Sequence, residues 1–525
     1  MKPDGPSGDW TVTGALLMVS LVGASTLLIA TPFGLGVTDD SHVYLSGARH
    51  LQAGRGFLSK SVCTGAVVPI SHFPPFYSVV LSLSGLFEAK PLEAARWLNA
   101  ALLGANSLIV GLLLHHLLPS ARIVPLLGAF LTATSLVMLE VHSAVWTEPL
   151  FIFLMLLGLI CLGKHLAAPD LRLLVVGSLF VGLAASTRYA GIALVLAGGL
   201  GLLLWCDRTL YRRLLHAASF GLISCLPLGL VMLRNLHQAG SATDRSLSFH
   251  PVTGARLEAL IVSFGSWLLP GTDRVEVLPF QDEIQFVVVA VMVVFLITGT
   301  LVLFTKTEAR ETNPMLLPGL KLFVLYVLTH VALLFAAGSV LDNRMLSLIF
   351  LPLLVLSLCA AWAIYHRSTR RWVRSLLVVA GVGLSSAYLA ADGIALNYLS
   401  QNGRGYLGPQ WDYSAIWAEL SARPEEVPIY TNYPLPVTLH TGRRACSIKR
   451  LFQGDGSALA DALEHIGAGR ADVVIFDSAR RLVPRKPGAL ESRPASPSQV
   501  KEFLERSGGS LIMRERNAAY YGLRD

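Results

Sequence analysis

Charged residues are scarce in this sequence. Of its 525 residues, 14% are charged and 53% are hydrophobic, whereas a soluble domain carries about 25% charged residues. The mean hydropathy is +0.57, and apolar runs close to the ~20 residues needed to cross a bilayer recur along the chain. The shortage of charge excludes an ordinary soluble protein and predicts a polytopic α-helical membrane protein.

Paired cysteine motifs are also missing. The six cysteines form no CxxC and no Cys/His metal-binding pattern. Four of them lie in or beside apolar runs, where a cysteine behaves as a small buried hydrophobe: Cys161, Cys206, Cys225 and Cys359. Cys63 and Cys446 both fall in predicted outer segments, so a disulfide between these two is one option.

Two further absences argue against a cleaved signal peptide and against a transporter built from repeats. No small-x-small cleavage site precedes Asp39, and the first apolar run, residues 11–33, exceeds the roughly 7–15 residues of a signal-peptide core. We therefore expect this run to be retained as the first span. No internal repeat is detectable, which argues against a secondary transporter built from symmetric halves.

The positive charge is concentrated in short links between spans. The net charge is 42 − 34 = +8, and in a membrane protein this indicates the positive-inside rule rather than nucleic-acid binding. With the N-terminus inside, every short arginine-rich link falls on the cytoplasmic side, including the link that holds Lys306 and Arg310. We count about eleven spans: 11–34, 96–118, 122–140, 149–164, 171–186, 190–206, 215–235, 285–304, 319–339, 346–365 and 375–396.

Three outer segments remain: residues 36–93, residues 235–283 and everything after 397. In the last, "VPIYTNYP" and "ADVVIFD" predict short buried strands, "PSQVKEFLERSGG" a helix, and "SLIMRERNAAYYGL" a closing strand. We therefore predict a transmembrane domain over residues 1–396 and a small extracytoplasmic α/β domain over 397–525. The localisation is the cytoplasmic (inner) membrane, with the N-terminus in the cytoplasm.

Two adjacent carboxylates open the first outer loop. From Asp40 onward, Tyr44, Ala48 and Leu51 recur at helical spacing, which predicts an amphipathic helix in the membrane interface. Asp39 or Asp40 could cap this helix. A cap needs only one of them, so the second carboxylate invites a functional explanation.

A second interfacial or re-entrant helix is predicted over residues 71–87, because Pro74 and Pro75 prevent an earlier helical start. His72 stands just before these prolines. Considered alone, it is either a loop residue or a ligand-binding side chain.

His142 and Glu148 lie in a very short outer connection between spans. Glu148 precedes Pro149 at a predicted helix start, where a glutamate is often only a partner of the helix dipole. The alternative is a carboxylate that holds a divalent cation or positions a polar substrate at the membrane surface.

Arg188 and Arg344 lie at outer span ends, the side from which arginine is depleted. Snorkelling explains either residue singly. A phosphate at headgroup depth is the alternative partner, because the planar guanidinium matches it. His330, inside a span, is a further site candidate or a helix-packing residue.

Several motifs in order resemble the C-type integral-membrane glycosyltransferases that use polyprenyl-phosphate sugars, especially the protein mannosyltransferase-like and aminoarabinose-transferase-like branch. The first outer loop, "DDSHVYLSGARHL", is similar to the acidic residue, tyrosine and Ala-Arg step of that family. The motifs "HFPPFYSVVLSLSGLF", "TEPLFIFLMLLGL", "STRYAG" and "RMLSLIFLP" follow in the family's order.

The resemblance implies an inverting sugar transfer from a polyprenyl-phosphate donor to a glycan, lipid or protein acceptor. Asp40 first, and Asp39 second, would be the catalytic carboxylate, while Arg344 and Arg188 would meet the donor phosphate. Tyr44, His72 and His142 would line the substrate cavity. A divalent ion (Mg²⁺, Mn²⁺ or Zn²⁺) near Glu148 is the one cofactor it implies.

Two other functions stay open. A transporter or lipid flippase would bury ionisable residues mid-span, whereas most here lie at outer span ends. A scaffold or receptor built around the C-terminal domain would leave the acidic loops and outer arginines unexplained.

Overall fold

The structure, a computed structural model, describes ten stretches of the chain. They are residues 7–244, 251–270, 281–304, 315–338, 341–453, 456–468, 470–476, 496–507, 510–516 and 518–522. The predicted inner link with Lys306 and Arg310 lies outside these stretches, as does part of the second outer segment.

The first part of the chain is helical apart from one small hairpin. In order the elements are α1 (Ser7–Ala30), α2 (Asp39–Gln52), β1 (Leu58–Lys60), β2 (Val67–Pro69), α3 (Phe76–Ser82), α4 (Pro91–Leu117), α5 (Ile123–Ala133), α6 (Leu136–His142), α7 (Glu148–Ala167), α8 (Leu171–Thr187), α9 (Ile192–Trp205), α10 (Leu210–Ala239), α11 (Gly254–Leu268), α12 (Gln281–Phe304), α13 (Leu316–Ala336), α14 (Asn343–Arg367) and α15 (Arg371–Asn402).

The described helices make this a multi-pass membrane protein. Seven of them are long and apolar enough to cross a bilayer, and the pair α5 and α6, bent by 49°, would add an eighth if it crosses as one unit. Further apolar helices, α8 and α9 among them, have 10–17 residues, fewer than the ~20 of a perpendicular span. The count of about eleven spans stays a prediction.

The two helices predicted after the first span are present, but one cap differs from expectation. Thr38 caps α2, and its side chain accepts the N–H of Ser41. The prediction that Asp39 or Asp40 is the cap was therefore wrong. Both carboxylates lie in the first turn of α2, where the positive end of the helix dipole stabilises negative charge. The second helix, α3, begins directly after Pro75, as predicted.

The C-terminal part has alternating helices and strands. They are α16 (Ser414–Ala422), β3 (Ile429–Thr431), α17 (Pro434–Thr441), β4 (Ala445–Ser447), α18 (Ile448–Leu451), α19 (Ser457–Gly467), β5 (Asp472–Phe476), α20 (Pro497–Ser507), β6 (Ser510–Glu515) and β7 (Ala518–Gly522). The strand order is β4-β3-β5-β7-β6, with β3 parallel to β4 and β5, and β7 antiparallel to β5 and β6.

The strands predicted from "VPIYTNYP" and "ADVVIFD" are β3 and β5, and the predicted helix is α20. The closing stretch differs: it forms two strands, β6 and β7, with Arg516 between them at a positive φ of 51°. The apolar residues 511–513 and the aromatic pair Tyr520–Tyr521 were combined into one predicted strand, although polar residues separate them. The three-residue edge strand β4 was not predicted, because a strand so short has no readable periodicity.

Both faces of the sheet are covered. One face packs an aromatic cluster that includes Trp411, Trp417 and Phe476. The other packs apolar residues of α19 and α20, such as Ile466 and Phe503. A sheet buried on both faces folds as a layered α/β arrangement.

By compactness the chain divides into two units. One comprises Met1–Pro32 and Ser71–Gln401, and the other comprises Phe33–Ile70 and Asn402–Asp525. The predicted division after residue 396 stays a prediction, but the first half of the first outer loop, up to Ile70, belongs with the C-terminal unit here. Within that unit a disulfide joins Cys63 to Cys446, with 4.4 Å between their Cα atoms, and Ala445 N–H donates to the Val62 carbonyl at 3.0 Å.

The Cys63→Ser and Cys446→Ser variants should each destabilise the protein by about 2–4 kcal/mol. The double variant should lose no more than either single variant, since all three break the same bond. The measurement is thermal unfolding of the full chain in detergent. Cys225→Ser is the matched control, because Cys225 is exposed and unbonded. Additive losses in the double variant would contradict the pairing.

Candidate active site

A carboxylate shared by two arginines lies at the start of α7, in the unit made of residues 1–32 and 71–401, which we call the membrane unit. The Glu148 side chain has no exposed surface, and its Oε1 lies 2.6 Å from Arg188 Nη1 and 2.6 Å from Arg344 Nε. The two arginine side chains keep 12% and 16% exposure. The structure thus joins three residues that the sequence singled out separately, and we call them the Glu148 triad.

The start of α7 positions the carboxylate. Glu148 is the first residue of this helix, and Pro149 suits the first turn because its missing N–H needs no partner there. Thr147, which precedes the helix, donates from Oγ1 to Glu148 Oε2 at 3.4 Å and accepts from Arg188 Nη1 at 2.7 Å. Arg188 therefore contacts Glu148 both directly and through the Thr147 hydroxyl.

Arg188 lies at a break between α8 and α9. It adopts an extended backbone at the end of α8, and a short 3₁₀ turn (Tyr189–Gly191) follows. A Cβ on Gly191 would collide with the backbone of Ala185, so the tight return of the chain requires glycine here. Tyr189 Oη donates to the Ser71 carbonyl at 2.7 Å, which fixes the turn against the residue before His72.

Arg344 comes from the first turn of α14. Asp342 caps this helix, accepting the Met345 N–H at 2.8 Å. The Arg344 guanidinium also lies 4.0 Å above the centre of the Trp146 ring, a cation–π contact. Stacking on one face and pairing through Nε hold the planar group in one orientation.

The charges of the Glu148 triad do not cancel. Two guanidinium groups and one carboxylate sum to +1, and the buried Arg188 Nε has no hydrogen-bond partner among the described residues. A net positive, partly buried pair of arginines favours an anion such as a phosphate. The same contacts argue against the predicted divalent ion (Mg²⁺, Mn²⁺ or Zn²⁺) at Glu148, because both arginines would repel it.

Asp342 adds a half-buried carboxyl beside this cluster. Burial, the largest influence, raises the pKa of Asp342 to about 6, while its hydrogen bond from Met345 opposes the shift. Glu140 and Glu148 raise this pKa further and Arg344 lowers it.

The three residues predicted to line a substrate cavity differ in burial and location. His142 is fully buried, with Nδ1 2.7 Å from the Met138 carbonyl, so it packs between helices, and its place in a substrate cavity stays a prediction. Tyr44 is 2% exposed and belongs to the core of the other unit, and its cavity role also stays a prediction. His72 is exposed and follows Ser71, which Tyr189 ties to the Arg188 turn.

The two carboxylates of the first loop belong to the second compact unit. Asp39 and Asp40 are half-buried in the first turn of α2. His42, one turn later, lies 3.3 Å from the Lys60 carbonyl. Burial lowers the pKa of His42, and the positive charge of Arg49 lowers it further. The hydrogen bond to the Lys60 carbonyl and the negative charge of Asp39 raise this pKa and oppose the shift.

Neither any protein-family model nor any curated protein sequence matches this chain. Solved structures do match. ArnT from Cupriavidus metallidurans in the apo state gives a TM-score of 0.58 at 14% identity, covering 97% of this chain and 98% of that one. ArnT bound to undecaprenyl phosphate gives 0.57 at the same identity and coverage. The Archaeoglobus fulgidus oligosaccharyltransferase gives 0.52 at 13% identity, covering 87% of this chain and 68% of that one.

The chain shares its fold with ArnT and with the oligosaccharyltransferase. The resemblance drawn from the motifs is thereby confirmed at the level of the fold. Mycobacterial arabinofuranosyltransferase AftD is similar as well, with a TM-score of 0.53 at 14% identity over 99% of this chain and 42% of that one.

Two buried asparagines support the site, and they were missed in the sequence analysis. Asn99 donates to the carbonyls of His142 and Ala144 at 2.9 and 2.8 Å. Asn106 Nδ2 lies 3.5 Å from both His142 Nε2 and the Pro149 carbonyl. They sit seven residues apart on one face of α4, and that spacing of amides inside an apolar helix was the available signal.

The Glu148→Gln variant should lose about 3–5 kcal/mol of stability, because two buried guanidinium groups would lose their shared counter-charge. Glu93→Gln is the matched control: Glu93 is exposed in the first turn of α4, and its loss should change stability by less than about 0.5 kcal/mol. Chemical denaturation in mixed micelles measures both. Equal effects from the two substitutions would contradict the proposed pairing.

The Asp342 carboxyl predicts a pH dependence. Its pKa in the folded protein, about 6, exceeds the ordinary 3.8, so the stability it contributes is present below pH ~4 and is lost as the pH rises through 6. Asp342→Asn keeps a capping side chain but does not titrate. The stability of wild type relative to this variant should fall by about 2–3 kcal/mol between pH 4 and 7, and parallel pH curves would rule the shift out.

Proposed function

We propose that this chain is a polyprenyl-phosphate-dependent glycosyltransferase of the cytoplasmic membrane. It transfers a sugar, with inversion, to a glycan, lipid or protein acceptor at the extracytoplasmic face. The observation that carries the proposal is the Glu148 triad, a fixed pair of arginines with a net charge of +1.

The leaving group explains why two arginines share one carboxylate. A polyprenyl phosphate departs with more negative charge than it had in the donor, and a preorganised cationic pair stabilises charge that develops in the transition state. Glu148 holds both guanidinium groups in place without neutralising them. ArnT, whose fold this chain shares, has been solved with undecaprenyl phosphate, which supports a polyprenyl-phosphate donor here.

The acceptor is activated by a carboxylate of α2, Asp40 first and Asp39 second. The acceptor oxygen bonds to the anomeric carbon from the face opposite the phosphate, and its proton passes to the carboxylate. The bond between that carbon and the phosphate oxygen breaks, and its electron pair leaves on the phosphate. Both aspartates lie in the first turn of α2, and a carboxylate is a suitable general base for an acceptor hydroxyl.

The extracytoplasmic location has two supports. The arginine-rich links between the predicted spans favour a cytoplasmic location for their own side of the membrane, which leaves the side of the triad outside. The Cys63–Cys446 disulfide in turn suits an oxidising compartment. A donor tail in the bilayer and a polar acceptor in water would meet at that surface.

The decisive experiment uses purified protein in nanodiscs with a panel of polyprenyl-phosphate sugars and a membrane extract that supplies acceptors. Donor binding and release of polyprenyl phosphate are measured separately. Arg188→Lys and Arg344→Lys, which keep the charge but lose the planar fork, should reduce release about 100-fold and weaken donor binding. The Asp39→Asn/Asp40→Asn variant should bind donor normally and release it at least about 100-fold more slowly.

Arg55→Lys and Glu93→Gln are the controls, because both residues are exposed. They should behave as wild type. A donor that binds and crosses the bilayer unchanged would point to the flippase function instead. Unimpaired release by the double aspartate variant would overturn the assignment of the base.

A further inference from the structure

A cluster of two histidines and a cysteine lies at the end of α7 opposite the Glu148 triad. His165, Cys206 and His216 each offer one ligand atom, and these atoms all lie within 4.8 Å of one another. Within the described part of the chain, this is the one group of three histidine, cysteine or acidic side chains with such spacing. His165 is 17 residues after Glu148 on the same helix, roughly 25 Å away.

Two of the three distances between ligand atoms match a tetrahedral metal site, and the third is within 4.8 Å. Zn–N bonds of ~2.1 Å and a Zn–S bond of ~2.3 Å place two nitrogen ligands ~3.4 Å apart and a nitrogen and a sulfur ~3.6 Å apart. Here His165 Nε2 lies 3.2 Å from His216 Nδ1, and Cys206 Sγ lies 3.7 Å from the same Nδ1. One ion can therefore replace the contacts that the three side chains now make with each other.

The surroundings orient the ligands. His165 Nδ1 lies 2.7 Å from the Asp170 carbonyl and 3.1 Å from the Asp170 N–H. A donated Nδ1–H to that carbonyl leaves Nε2 with its lone pair for a metal, the arrangement common around metal-bound histidine. Arg208 and Arg212 face His216, and they oppose a cation. A thiolate at Cys206 lowers the charge of a bound divalent ion to +1 and offsets that repulsion.

We propose that His165, Cys206 and His216 bind a divalent metal ion of the zinc type, with the fourth position open to water. Imidazole and thiolate together suit zinc. The three ligands come from the last turn of α7, the residue after α9 and the second turn of α10. The ion would therefore fasten three helix ends together, independently of the transfer reaction at the other end of α7.

The test uses the full chain in detergent, stripped of metal and then loaded with zinc or cobalt. Wild type should retain one zinc after dialysis, and its thermal midpoint should rise with zinc. Cobalt should give visible d–d bands and an ultraviolet thiolate charge-transfer band. Cys206→Ser should abolish the charge-transfer band, and His216→Gln should lose the retained zinc. The controls Cys225→Ser and His237→Gln alter exposed residues of α10 and should bind as wild type.

A wild-type cobalt spectrum without a thiolate band would overturn the proposal, even if the variants failed to fold. So would zinc retention that Cys206→Ser and His216→Gln leave unchanged. In either case the cluster is a set of hydrogen bonds between helix ends.

Discussion

The membrane unit depends on one buried carboxylate that cannot remain charged alone. Glu148 has no exposed surface, and an unpaired charge inside protein or lipid costs several kcal/mol. Arg188 and Arg344 supply the compensating charge, and each comes from a different helix end. A movement of α7, α8 or α14 that separates the arginines from Glu148 would leave a buried charge unpaired and would destabilise the protein by that amount. The triad therefore fixes the relative positions of these three helices.

The need to keep Glu148 paired also explains the buried polar side chains around the α6–α7 connection, which we call the polar framework. Asn99 and Asn106 bond to backbone carbonyls on both sides of the α6–α7 connection, so they hold the segment that delivers Trp146, Thr147 and Glu148. His142 is part of the same framework. Buried amides of this kind satisfy carbonyls that lipid cannot, and they make the geometry of the site a property of the helix packing.

The members of the site could be predicted one at a time from the sequence, but their arrangement could not. Arg188 and Arg344 could be singled out because arginine is rare at outer span ends, and Glu148 because it starts a helix. Their convergence on one oxygen joins residues 196 positions apart, and no local pattern encodes such a contact. His142 looked like a surface residue because its connection is short; packing of α4 against that connection buries it. Cys206 looked like an ordinary hydrophobe because its neighbours His165 and His216 lie on other helices.

The Cys63–Cys446 bond closes a covalent ring through 383 positions of sequence, and the ring contains nearly every helix of the membrane unit. A single protease cut anywhere inside that ring leaves one covalently connected molecule, which separates into two chains only after reduction. The bond also cannot form until residue 446 has been synthesised and has reached the compartment of residue 63. Oxidation is therefore a late event in the assembly of this protein, after most of its helices have been made.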